Sequence, residues 1–449
     1  MSEAAPSPTA NPRRSLGFWM CLALVTGNMI GSGVYLLPAS LAPLGWNAVF
    51  GWLVTIAGAL CLAFIFAALA RSFPKAGGPY AYCREAFGPF AAFVVAWSYW
   101  ISIWVGNVAT ATGVVAPLST VFPGIASHSA LITAGVVWAL TAVNCVGTRT
   151  AGQVQLVTAI LKFLPLAAVA ALSALLIAGD GGGAALPPLE AEAITFGGVT
   201  AAATLTLWAF LGLESATIPA EKVQNAGRTI GRATLIGTAV TGAIYLFVCS
   251  SVALLLPADQ AAGSGAPMAD FVERHWGGGA GTAIALFAAV SAFGALNGWI
   301  LLQGEIPWAM AKDGVLPRWL AGTSRRGTPV RAHILSSVLL TIVLALNHSR
   351  SMVDLFTFLI LLTTGVSLVP FLVSALAAWR LRRAGRLPPV PALPAIAVLA
   401  AVYSLWAILG AGREAIGWGA VLLASGVPVY WLMRRSAAAG KAAEQGSVG

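Results

Sequence analysis

The chain alternates between long apolar runs and short polar connectors, a pattern that predicts helices crossing a bilayer rather than strands or helices packed around a water-facing core. Twelve apolar stretches stand out, at about 16–38, 46–71, 88–118, 129–147, 153–178, 198–219, 229–256, 279–311, 331–347, 352–379, 391–410 and 417–434. The predicted fold class is therefore an all-α membrane protein of about 12 transmembrane helices, with the lipid bilayer as its solvent.

Two of these stretches are interrupted. The first contains Gly27-Asn28-Met29-Ile30-Gly31-Ser32-Gly33, where each glycine costs up to about 1 kcal/mol relative to alanine in a helix. Backbone freed from helical pairing inside a membrane must find partners in the protein or a water-lined cavity, so the interruption reads as a binding site. The plainer alternative is a glycine-lined helix-packing face. The sixth stretch carries Trp208-Ala209-Phe210-Leu211-Gly212-Leu213-Glu214-Ser215, in which a glycine followed by an acid predicts a second break. Broken helices five spans apart, crossing in opposite directions, point to an inverted repeat with a transport site between the breaks. The expected organisation is a cytoplasmic tail 1–15, a first half 16–178 with spans 1–5, a second half 198–379 with spans 6–10, spans 11–12 over 391–434, and a disordered tail 436–449.

Composition agrees with the pattern: 58% of the 449 residues are hydrophobic and 9% charged, with mean hydropathy +0.85, more apolar surface than a water-soluble core could bury. The net charge of +10 would suggest nucleic acid in a soluble protein, but the cations fall at the termini and in alternate loops. Arg13, Arg14, Arg71, Lys75, Arg84, Arg149, Lys222, Arg228, Lys312, Arg318, Arg386, Arg434 and Lys441 belong to that set. By the positive-inside rule these loops and both termini are cytoplasmic, in a multi-pass protein of the cell (inner) membrane, and no nucleic-acid partner is expected. The head before Arg13 lacks a charged start and a cleavage site, so the first span is expected to stay in the mature protein. Cys21, Cys61, Cys83, Cys145 and Cys249 show no paired spacing and His128, His275, His333 and His348 are scattered, which argues against a disulfide framework or a metal site. There is no phosphate-binding loop for an ATP-driven pump and no nucleophile with its base for a membrane-embedded transferase. Neither a cofactor nor an enzymatic reaction is expected.

Ionisable residues inside spans are costly and by default functional. Lys162 in the fifth span and Glu214 in the sixth are the two that matter. Lys162 lies three residues before Pro165, where local carbonyls freed by the proline could take its ammonium; the alternative is snorkelling toward an interface. For Glu214 the alternative is a structural acid bonded to a neighbouring hydroxyl.

These residues, with Gly77-Gly78-Pro79-Tyr80-Ala81-Tyr82, Phe87-Gly88-Pro89-Phe90, Tyr99-Trp100, Trp104-Val105-Gly106-Asn107, Asn297-Gly298-Trp299 and Ala311-Lys312-Asp313-Gly314-Val315-Leu316-Pro317, carry a resemblance. The chain resembles the amino acid/polyamine/organocation (APC) transporter family, and within it the bacterial arginine/agmatine and basic amino acid/polyamine antiporter branch, from about 16 to 434. That resemblance implies a five-plus-five inverted-repeat fold with broken helices 1 and 6, a small-molecule substrate (amino acid or amine), and homodimer contacts through spans 11–12.

Carried over residue by residue, Ser32 and Gly33 would meet the substrate carboxylate. Carbonyls near Met29, Trp208 and Leu211 would accept from the α-ammonium, Asn107 would bond the distal end, and Trp299 would stack on its cation. Trp208 resembles the aromatic that closes the site from outside, and Tyr80, Tyr99 and Glu214 the group that bars the cytoplasmic route. Thr110 stands where that branch has a methionine, Thr363 where it has a serine, and Phe371 where it has a gating tyrosine. Lys162 resembles the lysine of sodium-independent relatives, near the place of a sodium ion in sodium-coupled ones, where it would tether the fifth span to the broken first. The expected function is a secondary transporter exchanging a cationic amino acid for its decarboxylated amine by alternating access, with a sodium-independent, proton-coupled or facilitative carrier of neutral amino acids as the alternative.

Overall fold

The computed structural model describes residues 16–75, 77–147, 158, 161–179, 186–218, 220, 223–347 and 350–435. The two tails, the start of the fifth span and the cations Arg13, Arg14, Arg149, Lys222 and Lys441 lie outside the described residues.

The first span is two helices, α1 (Phe18–Met29) and α2 (Ser32–Leu41), separated where Ile30 (ψ 96°) and Gly31 (φ −141°, ψ −140°) leave helical space. The second is α3 (Trp46–Ser72); a short connector helix α4 (Pro79–Phe87) leads into the third, α5 (Pro89–Val121). Both α4 and α5 start on a proline, whose fixed φ suits the first helical position. The fourth and fifth spans are α6 (Ser129–Val146) and α7 (Phe163–Ala178). The sixth begins as α8 (Phe196–Leu207), capped by Thr195 accepting from the Gly198 amide. It then tightens into a 3₁₀ turn at Trp208–Phe210, unwinds through Glu214, and resumes as a 3₁₀ turn at Ser215–Thr217. Thereafter come α9 (Ala226–Leu255), the short α10 (Ala258–Ala262) and α11 (Pro267–Trp276), then α12 (Ala280–Lys312), α13 (Val330–Leu346), α14 (Met352–Arg383), α15 (Leu393–Gly410) and α16 (Arg413–Ala424).

Among the described residues ten helical segments are long and apolar enough to cross a membrane, and α7 and α13 are shorter apolar helices. The protein is thus an all-α, multi-pass membrane protein. In its packing the second span lies against the seventh (α3 on α9) and the third against the eighth (α5 on α12). The third span is the structural centre, 94% of its apolar window being buried, whereas the twelfth runs along the outside with 11% buried. Trp418, Val421, Trp431 and Leu432 on that last span are exposed, as side chains facing lipid tails would be.

Candidate functional site

The two unwound segments touch. Asn28 Nδ2 donates to Ser215 Oγ at 2.8 Å, joining the first break to the sixth. Gly212 has φ +109°, which favours glycine. A Cβ there would also come within 3.0 Å of Asn28 Cβ. The carbonyls released where α1 ends are partnered from two other spans: Lys162 Nζ donates to the Gly27 oxygen at 2.8 Å and Tyr245 Oη to the Met29 oxygen at 2.7 Å. On the other side of the break α2 starts without a side-chain cap. Its first amides are therefore the open, positive end of a half-helix.

Between the breaks lies a cavity with about 490 Å³ of empty space, counting that open to solvent. Met29, Ser32, Gly33, Asn107, Thr110, Trp208, Leu211, Trp299 and Thr363 all line it, together with Tyr99 and Glu214. Three glycines set its shape. A Cβ on Gly33 would stand 3.0 Å from Trp208 Cδ1, and one on Gly106 would stand 3.0 Å from Trp208 Cη2. The indole thus bridges the gap between α2 and α5. A Cβ on Gly113 would overlap Ser32 Cβ, so this glycine lets the start of α2 close against α5. Thr363 Oγ1 is buried with no hydrogen-bond partner among the described residues.

At one wall of the cavity Glu214 is held by Tyr99 Oη, which donates to Oε1 at 2.7 Å, and by the Gly212 amide, which donates to Oε2 at 3.1 Å. Tyr80 does not join them. It sits on the connector helix α4, and its hydroxyl donates instead to Asp313 Oδ2 at 2.8 Å, at the end of α12. Burial, and next the Asp313 carboxylate, push its pKa up to about 12, so it remains a donor at neutral pH. Phe371 is also away from the cavity, packed edge-on to Phe66 at 5.4 Å. Lys162 stands behind the broken first helix rather than in the cavity, 1% exposed. Its ammonium is turned to the Gly27 carbonyl of that helix rather than snorkelling toward an interface.

Several partners were not foreseen from the sequence. Gln303, fully buried on α12 one turn beyond Trp299, accepts from Asn107 Nδ2 at 2.7 Å. Tyr245 and Ser215 are the others. An uncharged amide in the run Trp299-Ile300-Leu301-Leu302-Gln303 is a signal that attention to charged residues alone passes over. No group of three or more metal-ligating side chains occurs among the described residues.

Comparison with known proteins gives a consistent picture. Residues 16–431 match the amino acid permease family. The chain is 32% identical over 389 residues to a provisionally named arginine/ornithine antiporter of Bacillus subtilis (strain 168), covering 80% of this chain and 83% of the relative. It is 31% identical over 339 residues to a cadaverine/lysine antiporter of Escherichia coli (strain K12), covering 74% and 75%. A putrescine transporter of the same organism is 28% identical over 434 residues, covering 93% and 96%.

Proposed function

The chain belongs to the amino acid permease family, within the APC transporters, and on that premise we propose that it exchanges a cationic amino acid for its decarboxylated amine by alternating access. The observation that carries this reading is the cavity enclosed by both broken helices, with the open amides of α2 at one end and Trp299 and Asn107 also in its wall. The Ser32 hydroxyl and the amides at Ser32 and Gly33 bind the substrate carboxylate, aided by the positive helix end. The carbonyls of Trp208 and Leu211, and the second lone pair of the Met29 carbonyl beside its bond from Tyr245, accept from the α-ammonium. Trp299 presents its ring to the distal cation, worth roughly 0.5 to 2 kcal/mol depending on desolvation. Asn107, Thr110 and Thr363 complete that end. The Trp208 indole closes the outer side, and Glu214 with Tyr99 closes the cytoplasmic side.

Vesicles reconstituted with the protein and loaded with agmatine, cadaverine or putrescine should take up labelled arginine, lysine or ornithine. Empty vesicles should not. Equal uptake into loaded and empty vesicles would overturn exchange.

A second reading is favoured by one specific feature: Glu214 is the sole carboxylate lining the cavity among the described residues, and both its oxygens are already engaged. A site without a free acid suits a neutral amino acid carried without sodium, and leucine or alanine uptake into empty vesicles would select it. In either case we place the protein in the cell inner membrane with both termini cytoplasmic, and assign the exposed face of spans 11–12 to a second copy of the chain.

A further inference from the structure

Behind the cavity runs a chain of buried hydrogen bonds whose far end is a backbone carbonyl. Asn107 Nδ2 lies 2.7 Å from Gln303 Oε1, Gln303 Nε2 lies 2.9 Å from Ser337 Oγ, Ser337 Oγ lies 2.7 Å from Thr141 Oγ1, and Thr141 Oγ1 lies 2.8 Å from the Val137 oxygen. The four side chains come from α5, α12, α13 and α6, and none is more than 2% exposed. Of the four only Asn107 lines the cavity.

Such a chain has a direction. The Val137 carbonyl can only accept, so Thr141 spends its single hydroxyl proton there. Ser337 must then donate to Thr141 and accept from Gln303. Gln303 therefore turns its NH₂ to Ser337 and its oxygen to Asn107. Asn107 in turn must give its NH₂ to Gln303, which leaves its own oxygen for the cavity. Reversing the amides would forfeit at least one of these contacts inside a buried network, where an unmade bond is expensive. The backbone of Gln303 is pinned as well: its carbonyl accepts from Ser336 Oγ at 2.9 Å, and Ser336 Oγ accepts from Trp100 Nε1 at 2.9 Å.

We propose that Gln303, with Ser337 and Thr141 behind it, is a positioning residue that fixes the amide polarity of Asn107 and so makes the distal wall of the cavity a hydrogen-bond acceptor selective for ligands ending in N–H. The proposal rests on the reading that this cavity binds the substrate. It assigns selectivity to residues that never touch the ligand. A distal ammonium or guanidinium finds a ready acceptor in Asn107 Oδ1, whereas an apolar end of the same length leaves that acceptor unpaired.

The test compares binding of L-lysine and of L-norleucine, which has the same chain without the distal amine, to the purified full-length protein. The wild-type protein should prefer lysine. Gln303→Met should cut that preference about tenfold, the scale of one hydrogen bond to a charged group, while norleucine affinity stays level. Thr141→Val keeps the side-chain shape two bonds further from the cavity, and should lower the preference in the same direction by a smaller factor. Unchanged lysine-to-norleucine ratios in both variants, or equal losses for both ligands, would overturn the proposal. Trp299→Leu separates the two claims. If it weakens lysine while the Gln303 and Thr141 variants leave the ratio alone, only this inference fails; if it weakens neither ligand, the binding site itself is elsewhere and both fail.

Discussion

Lys162 donates from Nζ to the Gly27 oxygen at 2.8 Å, so the amine of a lysine on the fifth span is bonded to the last turn of α1 just before the chain breaks. A helix C-terminus carries partial negative charge and unpaired carbonyls, which a cation satisfies on both counts. Tyr35 Oη, on the other half of the broken span, donates to the Lys162 carbonyl at 2.9 Å. Residue 162 thus holds both pieces of the first span at once.

The first prediction follows from that tether. With the cation built into the chain, replacing sodium by choline in proteoliposomes should leave uptake unchanged, and a strict sodium requirement would defeat the assignment. Lys162→Ala should abolish most transport, because it strands the Gly27 carbonyl at a cost of about 1 to 3 kcal/mol. Full activity in that variant would reduce the lysine to packing.

Both breaks were legible in the sequence because glycine and polar residues are conspicuous against an apolar background, and nine of the residues that line the cavity were reached through the family resemblance, Thr110 and Thr363 among them as departures from its pattern. The links between elements were not. Asn28 finds Ser215, 187 positions away, and Asn107 finds Gln303, 196 away. Nothing in local pattern encodes such pairings. Tyr80 shows the opposite failure: the resemblance groups it with Tyr99 and Glu214, but where α4 packs gives its hydroxyl to Asp313.

Glu214 invites a direct test of its role. Glu214→Gln preserves shape and can keep the bond from Tyr99, at the expense of the one from the Gly212 amide, while it removes the titrating group. The variant should still fold and bind substrate, and its exchange rate should lose or flatten its dependence on pH between about 5 and 8. With Phe371 offering no gating hydroxyl, the wild-type profile is expected to be shallow. A steep wild-type profile retained unchanged by Glu214→Gln would remove Glu214 from coupling.

At the loop surface Glu85 joins two connectors, accepting from Lys75 Nζ at 2.6 Å and Arg386 Nη2 at 2.7 Å. Lys75 first and Arg386 second hold its carboxyl below the ordinary glutamate value. A depressed carboxylate stabilises the folded state above its ordinary value and loses that contribution as the pH falls below it. Because the group is largely solvated, the effect is small and screened by salt. Glu85→Gln should therefore lower the melting temperature slightly at pH 7 and converge with wild type in strong acid. A gap that persists at low pH would show that the pairs are not its source.

The last prediction concerns Gly113, whose only unusual property is what it leaves out. A methyl group there would overlap Ser32 Cβ and come within 3.2 Å of Ser32 Oγ, on the residue that begins α2 and lines the cavity. Overpacking of this kind costs about 1 to 3 kcal/mol. The strain should fall on the uncapped start of α2 rather than on α5, the most buried of the long apolar helices among the described residues. Gly113→Ala should therefore weaken substrate binding by about tenfold or more, with a smaller loss of thermal stability. Gly135 on α6 is the control, since a Cβ there meets nothing within 4 Å, and Gly135→Ala should leave binding intact. The double variant Gly113→Ala with Ser32→Gly removes the overlapping atom from the other side. It should recover the stability lost by Gly113→Ala but not the affinity, because the Ser32 hydroxyl goes with it. Recovery of both would take Ser32 out of the binding site, and wild-type binding by Gly113→Ala alone would show that α2 does not close against α5 when substrate is held.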